Sequence, residues 1–155
     1  AKRYRCYNNL ILLSVKTIEA IQEELIEEFA LFEDWMQRYE YMIDLGKSLP
    51  LIDTAFKNED HIIKGCQSKV WVHADLKDEL IHFTADSDAI ITKGIIAILI
   101  RVFSNQPPKA ILEANTDFID KIGLKEHLSP TRANGLVSMI KQIKMYAVAY
   151  QTQLN

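Results

Sequence analysis

Cys66 stands in the run Gly65-Cys66-Gln67-Ser68, flanked by Lys64 and Lys69, and no other segment carries residue types better suited to covalent chemistry. Glycine permits a tight turn, and the backbone N–H groups of Gln67 and Ser68 can then face a sulfur anion. Two neighbouring ammonium groups favour the thiolate, the nucleophilic form of cysteine. The opposing reading is an inert thiol, since free cysteine is among the most buried residue types. The residues alone leave both readings open. The chain has one further cysteine, Cys6, among Tyr4, Arg5 and Tyr7, where nothing suggests chemistry. Two cysteines so far apart make neither a disulfide framework nor a four-cysteine metal cage. A reducing cytoplasm is their simplest setting.

Four histidines, His61, His73, His82 and His127, are scattered along the chain. One of them could meet Cys66 in space as the base of a cysteine hydrolase, because such partners need not be close in sequence. The blander reading places them on the surface or at helix caps. His73 and His82 are expected on the wet face of a sheet as cross-strand neighbours. No HExxH, Walker loop, Rossmann glycine pattern or CxxC occurs, so no metal and no cofactor is expected.

Charge narrows the partners. Lysines and arginines number 18 and acids 21 in 155 residues, and 48% of residues are apolar, a globular and not a disordered composition. Residues 19–40 carry a net charge of −7 and residues 121–155 a net charge of +4. Both runs read as solvated helix faces, and no basic stripe interleaved with aromatics points to nucleic acid. The longest apolar run, Gly94 to Ile100, is seven residues, well short of the ~20 needed to span a membrane. Lys2, Arg3 and Arg5 before Leu10-Ile11-Leu12-Leu13 loosely imitate a signal peptide, but the apolar part is short and no small-x-small site follows.

The elements that must position Cys66 follow from periodicity. Ile18, Ile21, Leu25, Phe29 and Phe32 recur at helical spacing. A second helix is predicted with Glu33 and Asp34 in its first turn, Trp35, Met36, Tyr39, Met42, Ile43 and Leu45 on its buried face, and Gly46 as its stop. Residues 50–68 lack a helical period and read as loop, with a short strand at 61–64. Val70, Val72, Ala74 and Leu76 alternate with Trp71, His73 and Asp75, and Ile81, Phe83 and Ala85 repeat the pattern, giving an antiparallel hairpin with one wet face. Asp86 or Ser87 is expected to cap the next helix. From Ile90 to Phe103 that helix is apolar nearly all round, as the hub of a core would be, and Gly94 within it predicts close approach to another backbone. Pro107-Pro108, Asn115-Thr116 and Ser129-Pro130 start further helices, the last burying Leu136, Met139, Ile140, Ile143 and Ala147. The order is α+β, helices segregated to one side of a small sheet.

The segment Ile63-Lys64-Gly65-Cys66-Gln67-Ser68-Lys69-Val70-Trp71-Val72 resembles the cysteine segment of SufE-type sulfur acceptors. Tyr39 to Pro50, Asp86-Ser87-Asp88-Ala89 with Thr92-Lys93-Gly94, and His127 to Arg132 match further blocks of that family in order and spacing. The resemblance runs from about Ile18 to about Tyr150. It implies a domain at 18–152, after an N-terminal extension at 1–17 without a family counterpart. It also implies a small three-stranded antiparallel sheet packed against helices, as in the NifU/IscU scaffolds.

For function, the resemblance implies a protein that takes persulfide sulfur from a SufS-type cysteine desulfurase, stimulates that enzyme, and passes sulfur to iron–sulfur cluster assembly on a SufBCD-type scaffold. It matches Cys66 to the persulfide carrier and Arg132 to an arginine near it, with Gly65, Gln67 and Ser68 in support. Asp88, Lys93 and Lys64 are the residues expected at the partner, and the loop side is favoured over the acidic face for docking. A cluster scaffold of the related fold, or a cysteine hydrolase using Cys66, are the competing functions. A scaffold typically needs three cysteines and another ligand.

Overall fold

The computed structural model describes residues 15–154, so Cys6 and the basic and apolar stretch before residue 15 lie outside the described residues. Helix α1, Ile18–Ala30, begins where the Thr17 hydroxyl accepts from the Ala20 N–H at 3.1 Å, and it buries Ile18, Gln22, Leu25 and Phe29. Its polar member is satisfied: Gln22 Nε2 donates to the Asn115 carbonyl at 3.0 Å. Helix α2, Trp35–Lys47, is capped by Asp34, whose carboxylate accepts from the Gln37 N–H at 2.8 Å. Two expectations fail here. Met36 is 68% exposed and not part of the buried face. Gly46 does not stop the helix but lies inside it against α3, Ile90–Phe103, where an added Cβ would stand 3.0 Å from the Gly94 nitrogen.

Strands β1, Val70–Lys77, and β2, Leu80–Ser87, pair antiparallel with Val72 opposite Ala85 and Ala74 opposite Phe83. The alternation predicted for the hairpin holds: Val70, Val72, Ala74, Phe83 and Ala85 are buried. Asp78 and Glu79 form the two-residue turn with φ of 55° and 64°, the paired left-handed geometry that matches strand twist. Asp86 and Ser87 belong to β2 and do not cap α3, whose first N–H groups have no side-chain cap at Ala89.

Among the described residues the sheet has two strands, and the third expected strand is not found there. Its free edges carry isolated bridges, Ile62 to Trp71 beside β1 and Leu51 and Gln106 beside β2. The physical reason is competition for the β1 edge. Val72 and Ala74 offer their carbonyls to the hydroxyls of Tyr146 and Tyr150 at 3.2 and 2.7 Å, so no chain can extend the ladder past Ile62. Those tyrosines come from the last helix, α7, Pro130–Leu154, reached through α4, Pro108–Glu113, α5, Phe118–Lys121, and α6, Leu124–His127.

Helix α3 is the hub. Ile95, Ile96, Ile98, Leu99, Ile100, Val102 and Phe103 are all buried, as its all-round apolar sequence requires. Gly94 is its closest contact: a Cβ there would stand 2.5 Å from the Met42 carbonyl oxygen. Arg101 is anchored by both oxygens of Glu28 at 2.6 Å, and Tyr41 donates to the same carboxylate. Part of the acidic run therefore locks α1 to α3 instead of only facing solvent.

Candidate functional site

The backbone after Ile63 makes a hairpin loop. Ile63 N–H donates to the Val70 carbonyl at 2.8 Å and Val72 N–H to the His61 carbonyl at 3.0 Å, closing its root. Asp88 ties down the far side: its carboxylate accepts from the Lys69 N–H at 3.0 Å, and its own N–H donates to the Lys69 carbonyl at 3.2 Å. Ser87 Oγ donates to that carbonyl as well, at 2.8 Å. Within the loop Gly65 has φ of +95°, and a Cβ there would lie 2.5 Å from Ser138 Oγ on α7. Both facts restrict this position to glycine.

Cys66, half-buried, points its thiol at α7, where it donates to the Gly135 carbonyl at 3.6 Å. Gly135 leaves room for the sulfur, since a Cβ on it would sit 3.3 Å from Sγ. Sulfur, Thr92 and Ile95 of α3, and Arg132, Gly135 and Met139 of α7 line one cavity of about 50 Å³. Gln67 and Ser68 complete its wall. The structure thus gathers Cys66, Gln67, Ser68 and Arg132 around one space, with Gly65 shaping the turn beside it. Arg132 is exposed and donates to the Tyr39 hydroxyl at 3.1 Å, which bridges α7 to α2 at the cavity mouth.

Other expected site residues are placed differently. Lys93 pairs with Asp86 at 3.4 Å, alongside Lys57 at 3.0 Å. Lys64 is exposed and lines a separate surface groove with Asp60 and Lys141. The expected thiolate stabilisation is not met: burial alone pushes the Cys66 thiol above its ordinary value of 9.0. The flanking lysines are exposed, where their charge is screened, so desolvation of the anion wins. Thr92, Gly135 and Met139 were missed. Their signal was available in part, since Thr92 lies in one of the matched blocks and Gly135 interrupts an otherwise helical pattern.

No histidine lines the cavity. His127 bonds the Gly123 carbonyl at 2.9 Å and stacks on Trp35. His73 and His82 are not opposite each other, because the register sets His73 against Thr84 and His82 against Asp75. His73 instead meets His61 at 3.1 Å. A cysteine hydrolase therefore lacks its base at Cys66. Among the described residues no group of three or more His, Cys, Asp or Glu side chains is placed to hold a metal ion, and no helix is long and apolar enough to cross a membrane.

Comparison with known proteins adds independent findings. The family model described as SufE, Fe-S metabolism associated domain, matches residues 23–147. An uncharacterized SufE-like protein of Rhizobium meliloti is 42% identical over 130 residues, covering 81% of this chain and 93% of its own. One from Synechocystis is 33% identical over 145 residues, covering 94% and 91%. SufE-like protein 1, chloroplastic/mitochondrial, of Arabidopsis thaliana is 35% identical over 127 residues, 81% of this chain but 34% of that longer protein. The solution structure of a hypothetical protein from Thermus thermophilus superposes with a TM-score of 0.72 at 20% identity, over 85% of this chain and 96% of that one. That last likeness establishes the fold alone.

Proposed function

The chain belongs to the SufE family of Fe-S metabolism associated domains, and from that premise we propose that it is a sulfur acceptor working through a persulfide on Cys66. The observation that carries this reading is the placement of Cys66 on a pinned hairpin loop, its sulfur in a small cavity with Arg132 at the rim.

The Cys66 thiolate attacks the outer sulfur of a persulfide on a SufS-type cysteine desulfurase. A sulfur–sulfur bond forms at Cys66, the donor's sulfur–sulfur bond breaks, and the donor cysteine leaves as a thiolate. Oxidation states balance, so no outside oxidant or reductant enters. The Cys66 proton must leave first, and in the resting protein burial holds it on. That suits a carrier: the closed loop keeps the thiol unreactive toward stray disulfides and oxidants, and docking that lifts sulfur from the cavity restores its ordinary acidity. Arg132, already at the rim, supplies positive charge toward the persulfide anion. Gly65, Gln67 and Ser68 shape the loop that moves.

The proposed partners are a cysteine desulfurase, which the chain stimulates by removing its persulfide sulfur, and a SufBCD-type scaffold downstream. We place this exchange in the cytoplasm, the reducing setting that a two-cysteine composition suits. The test is desulfurase turnover with and without the chain. Stimulation is expected from the native chain and not from Cys66→Ser; equal stimulation by both would remove Cys66 from the reaction.

A further inference from the structure

Residues 51–62 cross the outer face of the sheet. They leave a bridge from Leu51 to Ala85 on the free edge of β2 and reach a bridge from Ile62 to Trp71 on the free edge of β1. Phe56 stacks on the His73 ring at 3.8 Å, and Lys57 lies over Trp71 at 4.8 Å while pairing with Asp86 at 3.0 Å. This strap ends at the root of the Cys66 loop, where His61 and Ile63 pair with Val72 and Val70. Whatever holds the strap holds one leg of that loop.

A chain of four side chains joins strap to sheet. Asn58 Oδ1 meets His61 Nδ1 at 2.8 Å, His61 Nε2 meets His73 Nδ1 at 3.1 Å, and His73 Nε2 meets Asp75 Oδ1 at 3.1 Å. The ends fix the protons. Asn58 Oδ1 also accepts from the Asp60 N–H, and Asn58 Nδ2 donates to the Ala55 carbonyl, so the amide orientation is set and His61 Nδ1 must donate. The Asp75 carboxylate accepts, so His73 Nε2 must donate too. With two neutral rings, both inner nitrogens would then be bare lone pairs facing each other at 3.1 Å. A third proton between them, carried by His73 on the Asp75 side, would close the chain. A fourth proton would set two N–H groups against each other. The neighbouring charges are His82 opposite Asp75 on β2, Tyr150 of α7 near Asp75, Glu59 and Asp60 on the strap turn, and Lys57 with Asp86 and Lys93 farther along the face.

We propose that Asn58, His61, His73 and Asp75 form a one-proton clasp that fastens the strap across the sheet and keeps the Cys66 loop closed. Loss of the third proton breaks one link, and gain of a fourth breaks the central one, so the loop loosens on either side of a pH window. The meaning for sulfur transfer rests on Cys66 being the acceptor; neither readout below uses a sulfur donor, so failure of the clasp and failure of that reading are distinguishable.

Imidazole 15N NMR of the full chain counts the protons directly. The expected pattern is neutral His61 protonated on Nδ1 beside a doubly protonated His73; two neutral rings in the folded chain would overturn the clasp. The second readout is iodoacetamide alkylation of Cys66, followed on its own peptide so that Cys6 does not contribute, as the ratio of native to His73→Gln rates, in which the thiolate fraction cancels. The ratio should be about fivefold lower inside the window than on either side of it, the opening shift that loss of one ordinary hydrogen bond produces; a ratio flat with pH would overturn the proposal. Asp75→Asn serves as a variant whose side chain is 71% exposed and so threatens no core. Its amide can donate to His73 Nε2, closing the chain with neutral rings, so the imidazolium signal should vanish and the alkaline rise of the alkylation rate relative to His73→Gln should disappear. Retention of both would refute the proton count.

Discussion

Replacing Gly65 by alanine tests how the cysteine loop is held, because two separable costs meet at that position. The backbone has φ of +95°, which costs a non-glycine residue about 1–3 kcal/mol. The new Cβ would also stand 2.5 Å from Ser138 Oγ. Ser138, whose hydroxyl donates to the Asn134 carbonyl at 3.1 Å, must shift to clear that contact, an overpacking cost of about 1 kcal/mol. Gly65→Ala should therefore destabilise by about 2–4 kcal/mol in urea unfolding. Ser138→Ala alone should be nearly neutral, since a helical serine bonded back to its own turn gains little from that bond. In the double variant the contact part, about 1 kcal/mol, should return while the backbone part stays. Full recovery in the double variant would show that the left-handed backbone costs nothing. No recovery would show that Ser138 is not the obstacle, and a neutral Gly65→Ala would refute the reasoning whole.

Three further outcomes follow from other contacts. Gly94→Ala gains about 1 kcal/mol of helix propensity, but its Cβ meets the Met42 carbonyl at 2.5 Å; backbone cannot rotate away, so α2 and α3 must separate, and a net loss of about 1–2 kcal/mol is expected in thermal unfolding. Arg101 and Tyr41 hold the Glu28 carboxyl below its ordinary 4.5, so its contribution is present above that value and disappears as pH falls through the folded one. Glu28→Gln should cost about 1 kcal/mol near neutral pH, the pair being about one-third exposed, and should flatten the acid limb of the stability curve. Burial raises the Cys66 thiol above 9.0, so the stability tied to the neutral thiol is complete below pH 9 and is lost as pH rises through the folded value; Cys66→Ala should make the alkaline fall shallower, measured by chemical unfolding between pH 8 and about 11.

Much of the scaffold was legible because its signals are local. The alternation of Val70, Val72 and Ala74 set the buried face of β1, and the unbroken apolar run of α3 announced a central helix. Gly94 gave away a close approach, though its partner Gly46, read as a helix stop, could be recognised only with α3 in place. What stayed hidden depends on elements distant in sequence. The third strand is cut short by Tyr146 and Tyr150, some seventy residues beyond β1. The lysines beside Cys66 suggested an acidified thiol, but sequence proximity says nothing of which way a side chain points, and desolvation under α7 decides the direction. His73 was expected beside His82, one strand across, and found His61 on a strap that periodicity reads only as loop.

The central claim is that Cys66 accepts sulfur. Incubation of the full chain with a cysteine desulfurase and cysteine, then peptide mass spectrometry without reductant, tests it directly. A gain of one sulfur, ~32 Da, is expected on the peptide holding Cys66, removed by reductant as a persulfide is. Sulfur found on Cys6 alone, or an unmodified Cys66 peptide while the desulfurase turns over, would contradict it.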